Sequence, residues 1–165
     1  MIDTLLFDWG NTVMIDFPDE VGPMYSWNRL ELVDGAEACL KKLSSNYLIL
    51  LATNAKDSTK EDIRKALDRV GIGRYFNEIV CFKEVGFPKP TREFFDFVLN
   101  RTRKKKSELI MIGDDLEKDY WGPRAFGINA VLYDPFERYR DVEMRVSSLA
   151  EIEELIARIN RWKSA

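Results

Sequence analysis

Histidine and glutamine are both missing from this 165-residue chain. Without imidazole there is no histidine base, no histidine-ligated zinc and no Ser-His triad. Any chemistry must therefore run on carboxylates, lysine, hydroxyls and a metal. The lack of glutamine beside 32% charged residues leans toward a thermophile-like composition. Cysteine is scarce as well. Cys39 and Cys81 both sit in apolar patterns, which predicts buried free thiols rather than a disulfide. Charge of one sign does not dominate: the net charge of -3 argues against a nucleic-acid footprint. No apolar run approaches the length of a membrane span, and Asp3 interrupts the region where a signal peptide would be basic. Cytoplasmic residence is the resulting expectation. With 45% apolar residues the chain can bury a sizeable core, and it is short for two domains.

Short apolar runs alternate with helical patterns from end to end. Thr4–Phe7, Tyr47–Ala52, Glu78–Phe82, Leu109–Ile112 and Ile128–Tyr133 read as strands bounded by turn signals. Helices are predicted over Gly35–Ser45, from Asp57-Ser58-Thr59 to Val70, over Thr91–Asn100, Glu117–Phe126 and Leu149–Trp162. Val13–Leu32 is irregular and aromatic, broken by Pro18, Gly22 and Pro23. Regular alternation implies an α/β fold: one Rossmann-like domain at residues 1–165, with a parallel sheet of about five strands and helices on both faces. The basic run Arg101–Lys106 reads as the solvated end of a helix, where cations suit the macrodipole.

Polar residues gather where those strands end. The first strand runs into Asp8, Gly10 and Thr12, the second into Thr53-Asn54, and the fourth into Gly113-Asp114-Asp115, with Asp119 one turn on. Lys89 lies between Pro88 and Pro90, just ahead of a helix. In open parallel sheets ligands bind beyond the carboxyl ends of the strands, so these groups should face one crevice. Carboxylates brought together repel unless a cation or a shared proton lies between them, and hard cations such as Mg²⁺ prefer oxygen ligands. A nucleophile, a hydroxyl donor, a fixed cation and metal ligands together suit phosphoryl transfer through an aspartate.

These four segments, in this order, resemble the haloacid dehalogenase superfamily of aspartate-nucleophile hydrolases over nearly the whole chain. The resemblance implies that Asp8, in an Asp-x-x-x-Thr turn, is the nucleophile. It implies that Thr53, the backbone N–H of Asn54 and Lys89 bind the transferring phosphoryl group. It also implies a Mg²⁺ ion held by Asp8, Asp114 and the carbonyl of Gly10, with Asp119 supporting the metal site. Asp115 either joins that support or begins the next helix. The substrate implied is a phosphorylated small molecule or a phosphoprotein.

One position departs from the pattern. Phosphatases of this family carry a second aspartate two residues after the nucleophile, and here that residue is Gly10. The missing group is the acid and base of the reaction, a function typically worth about 10²–10⁴-fold. Its loss is compatible with a slow phosphatase favouring aryl or acyl phosphates, with an acid supplied from elsewhere, or with a Mg²⁺- and phosphate-binding regulatory module that no longer turns over. About twenty residues separate Thr12 from the helix near Gly35, enough for a flap and too few for a helical cap. The site should then be open, admitting large substrates or covered by a second copy in a homo-oligomer. The flap carboxylates Asp16, Asp19 and Glu20 either lie in solvent, which is the expectation, or place a substitute acid over the site, with Asp16 and Asp19 the first candidates. Phe17, Tyr25 and Trp27 either pack on the body, likewise the expectation, or stack on a substrate.

Overall fold

The computed structural model describes residues 1–164 and shows one parallel sheet packed by helices on both faces. The chain runs β1 (Thr4–Phe7), α1 (Ala36–Leu43), β2 (Leu48–Thr53), α2 (Lys60–Arg69), β3 (Glu78–Cys81), α3 (Phe82–Val85), α4 (Arg92–Thr102), β4 (Leu109–Gly113), α5 (Gly122–Phe126), β5 (Asn129–Tyr133), β6 (Arg145–Val146) and α6 (Ile152–Ser164). The strand order is β3-β2-β1-β4-β5-β6, with every pairing parallel. This is the order of doubly wound dinucleotide-binding sheets, and it reverses direction between β1 and β4.

The strands are fixed by burial on both faces. Leu5, Phe7, Ile49, Leu51, Ile110 and Ile112 point into one core layer with α1, α2 and α6. Leu6, Leu50, Ala52, Met111 and Leu132 point into the other, against Phe94, Phe95 and Tyr120. Each fully buried aliphatic or aromatic side chain contributes roughly 1.5–3 kcal/mol, so a one-residue slip of any strand would forfeit several of them. Cys39 and Cys81 are buried free thiols, and burial pushes the Cys39 thiol up to about 12. Among the described residues no helix is long and apolar enough to cross a membrane.

Several boundaries differ from the sequence reading. A sixth strand extends the sheet, but its two residues carry no periodicity to read. Phe82 leaves β3 and opens the one-turn α3. Within the expected Asp57-Ser58-Thr59 opening, Thr59 caps helix α2 in a reciprocal capping box with Asp62. The expected helix Glu117–Phe126 is instead a π-helical turn, Leu116–Trp121, followed by α5. The basic run closes α4 and is largely exposed, as expected, with some of its cations paired. Arg101 pairs with Glu78 and Glu84, Lys104 pairs with Asp3, and Lys106 lies over the Phe126 ring.

The flap is pinned rather than loose. Trp9 O accepts the N–H groups of Thr12, Val13 and Met14, and Met14 bridges to Leu32. Met24 and Trp27 are buried, and Phe17 stacks against Arg29. The aromatics of the flap do pack on the body.

Candidate active site

Register places the polar strand ends level with one another. Phe7 pairs with Leu51 on one side and Ile112 on the other, so Asp8, Thr53 and Asp114 emerge together at the carboxyl edge. Asp8 N–H donates to Ile112 O at 2.9 Å, which carries the β1–β4 pairing to the lip of the crevice. Asp8, Gly10, Thr53, Asn54, Lys89, Asp114 and Asp119 all line a single cavity of about 400 Å³ at that edge. A cavity of this size holds a small molecule.

Lys89 organises the floor. Its side chain is only 2% exposed, so it is no loop lysine in solvent. Its Nζ donates to Asp8 Oδ1 and to Asp119 Oδ1, both at 2.8 Å. Burial alone would pull this ammonium down, but the adjacent Asp119 and Asp8 outweigh it and hold Lys89 protonated well above its ordinary range. The main chain of Lys89 is clamped by Asn54, whose Nδ2 donates to Lys89 O at 2.9 Å and whose Oδ1 accepts Lys89 N–H at 2.7 Å.

Asp119 reaches this point because the π-helical turn widens the chain there. Asp115 initiates the turn, its Oδ1 accepting Glu117 and Lys118 N–H groups at 3.0 and 2.9 Å, so it begins the helix. Asp119 then folds back until its Oδ2 accepts Asp115 N–H at 3.1 Å. Its carboxylate occupies the space above Gly113, where a Cβ would stand 2.2 Å from Asp119 Oδ2. Only glycine fits that position.

Thr12 joins the two acidic turns. Its Oγ1 lies 3.2 Å from both Asp8 Oδ2 and Asp114 Oδ1. Thr53 Oγ1 accepts Ala55 N–H at 3.1 Å, which leaves its proton available to a ligand. Gly10 adopts an ordinary backbone conformation, whereas Asn11 takes φ 58°.

Oxygens of Asp8, Asp114 and Asp119 fall within 4.8 Å of one another. Three carboxylates face one ammonium, and burial together with the mutual repulsion of the carboxylates favours their protonated forms. Burial, and then the charge of Asp8, lifts Asp114 to about 6. Burial and Asp8 likewise raise Asp119, against the pull of Lys89. Such a donor set of oxygens suits a hard divalent cation. Lys89 and Asp115 engage the two Asp119 oxygens, whereas Asp8 Oδ2 and Asp114 Oδ1 share the Thr12 hydroxyl.

A Rossmann-like sheet bearing aspartate, threonine, lysine and paired aspartates on successive carboxyl ends defines an aspartate-centred hydrolase fold. The family model for haloacid dehalogenase-like hydrolases matches residues 3–127, and the chain belongs to that family. It is 30% identical over 141 residues to the ribulose-1,5-bisphosphate 5-phosphatase of Halopiger xanaduensis, a match covering 78% of this chain and 58% of that one. It is 32% identical over 129 residues to the pyrimidine 5'-nucleotidase YjjG of Escherichia coli, covering 75% and 56% respectively. The chain thus spans a little over half the length of these curated relatives. Among solved structures, an uncharacterized protein from Listeria monocytogenes serotype 4b superposes with a TM-score of 0.84 at 25% identity, covering 97% of this chain and 99% of that one. A HAD phosphatase from Thermococcus onnurineus superposes at 0.76 with 16% identity, over 94% and 98%, a likeness of fold.

Two features of the site lay outside the sequence reading, the Asn54 clamp and the Thr12 bridge; of the flap acids offered as candidates over the site, Asp16 is the one beside Gly10. The Asp-x-x-x-Thr spacing was the one signal available for Thr12.

Proposed function

We propose that this protein is a phosphohydrolase that transfers the phosphoryl group of a phosphate ester to Asp8 and then to water. The observation that carries this reading is the environment of the Asp8 carboxylate. Its Oδ1 is held by buried Lys89 at 2.8 Å, while its Oδ2 faces Thr12 and Asp114 at the open side of the crevice. A carboxylate so fixed is aimed, and its rotation is blocked before any substrate arrives.

The residues act as follows. Asp8 attacks phosphorus. The Lys89 ammonium offsets charge on the phosphoryl oxygens and on Asp8, and the Thr53 hydroxyl donates to the same oxygens, with the Asn54 N–H beside it. Asp8 and Asp114 would hold Mg²⁺, which when bound neutralises the approach of one anion to another. Asp119 keeps Lys89 in place. That the named relatives are phosphatases of sugar and nucleotide phosphates supports a phosphorylated small molecule as substrate, and the cavity size agrees with it.

The test is hydrolysis of an aryl phosphate with Mg²⁺ present, comparing wild type with Asp8→Asn. Wild type should release phosphate, and Asp8→Asn should lose this entirely while melting at a similar temperature. Turnover that survives Asp8→Asn would reject the nucleophile. Mg²⁺-dependent phosphate binding with no product from wild type would instead identify a binding module.

A further inference from the structure

We infer that Asp16, in the flap, is the carboxyl group that exchanges the proton in this reaction, taking the part left vacant at Gly10. The inference rests on the Asp8 reading above and extends it.

The first observation is spatial. A Cβ added to Gly10 would meet Asp16 Cβ at 3.3 Å, Asp16 Oδ2 at 3.5 Å and Asp16 Cγ at 3.6 Å. The atoms nearest to that missing side chain are thus all those of the Asp16 side chain. The backbone at Gly10 would accept a side chain, since its φ is not positive. A side chain there would press on Asp16, which would have to give by a few tenths of an ångström.

The second observation is that Asp16 is held there. Its N–H donates to Asn11 Oδ1 at 3.0 Å, and Asn11 can present that oxygen because φ 58° turns its side chain back over the loop. Asn11 N–H donates to Met14 O, and Ile15 N–H donates to Glu31 O at 2.9 Å. The segment that carries Asp16 is therefore stitched to the strand end that carries Asp8.

The third observation separates Asp16 from the other flap acids. Asp19 faces Arg29, and Glu20 accepts the N–H groups of Asn28 and Arg29, so both serve the flap itself. Among the described residues no cation pairs with Asp16, and its side chain lines the cavity beside Asp8, Lys89 and Asp114. Asp16 thus places a carboxyl group in the cavity that is fixed by its main chain and free of ion pairs.

The steps balance as follows. Asp8 forms a bond to phosphorus as the bond from phosphorus to the leaving oxygen breaks, and the proton of the Asp16 carboxyl goes to that oxygen. Asp16, now a carboxylate, takes a proton from a water whose oxygen attacks phosphorus. The bond from Asp8 to phosphorus breaks, releasing Asp8 as a carboxylate and inorganic phosphate, and Asp16 is protonated again.

The experiment is rapid mixing of the full chain and Mg²⁺ with an aryl phosphate, whose leaving group needs no proton, and with glycerol phosphate, whose leaving group does. Wild type should turn over both. Asp16→Asn should slow glycerol phosphate by about 10²–10⁴-fold. With the aryl phosphate it should keep a burst of about one equivalent and then stall, because the acyl phosphate on Asp8 lacks its base. Asp19→Asn, at another exposed flap position, should behave as wild type. Moving the carboxylate in the double variant Gly10→Asp with Asp16→Gly should bring glycerol phosphate turnover back to within about tenfold. Asp16→Asn turnover within threefold of wild type on both substrates would overturn the inference, as would a wild type that hydrolyses only the aryl ester. Aryl phosphate turnover that survives Asp8→Asn is a different result and would reject the Asp8 reading beneath it.

Discussion

Asn54 and Lys89 are joined by two hydrogen bonds, the Asn54 amide donating to the Lys89 carbonyl at 2.9 Å and accepting the Lys89 N–H at 2.7 Å. The pair ties the end of β2 to the loop before α4, across 35 residues of sequence, and so decides where the Lys89 ammonium lands. Lys89 can bridge Asp8 and Asp119 because its main chain is already placed.

Breaking that tie should cost both stability and rate. Asn54→Ala leaves a partly buried N–H and C=O unpaired, a loss of about 1–3 kcal/mol in urea unfolding. Turnover of an aryl phosphate should fall as well, since an error of about 1 Å in a catalytic group can cost about 10²-fold. An Asn54→Ala protein with wild-type turnover would show that Lys89 finds its place without the clamp.

Lys89 and Asp119 form a buried pair, exposed 2% and 1% at their side chains, and should behave as one unit. Lys89→Met leaves Asp119 as an uncompensated buried charge, which should cost about 3–5 kcal/mol. Adding Asp119→Asn removes that charge while keeping an acceptor for Asp115 N–H, so most of the lost stability should return. Activity should not return, because the cation beside Asp8 is still missing. Chemical denaturation of both variants, with phosphate release measured alongside, separates the two contributions.

Metal binding should depend on pH through Asp114, which burial and the Asp8 charge lift to about 6. A carboxyl raised above its unfolded value of 3.8 adds stability that is full below that value and is lost as pH rises through about 6. In EDTA, Asp114 therefore weakens the fold at pH 7.5 relative to pH 5. Mg²⁺ acts in the opposite direction, since it needs the ionised carboxylates and competes with the proton. At pH 5 the apparent Mg²⁺ affinity should be about tenfold lower than at pH 7.5, which removes about 1.4 kcal/mol of stabilisation at saturating metal. Thermal melts at the two pH values, with Mg²⁺ and with EDTA, should show the larger Mg²⁺-induced rise at pH 7.5. Equal rises, or a pH dependence unchanged in Asp114→Asn, would remove Asp114 from the metal site.

Much of this protein was legible before any coordinates. The parallel sheet follows from continuous apolar runs such as Leu109–Ile112 between helical patterns, because strands covered on both faces need no polar alternation. The residues at the strand ends follow too: a parallel register sends Asp8, Thr53 and Asp114 to one edge wherever the strands are. Lys89 was legible from its place between two prolines before a helix, although not its burial.

The tertiary structure decided what lies between those residues. Residues 145–146 pair only because β5 offers them an edge, and two residues carry no pattern of their own. The Asn54 clamp, the Thr12 bridge and the inward fold of Asp119 depend on distances between side chains far apart in sequence, which no local spacing encodes. Asp16 is the sharpest case. In sequence it is one of three flap acids, and only the bonds that pin the loop from Asn11 to Glu31 put it, rather than Asp19 or Glu20, over the empty side of Gly10. Local propensity and periodicity choose the elements and the edge on which chemistry sits, while packing and hydrogen bonding across the fold choose which side chains meet there.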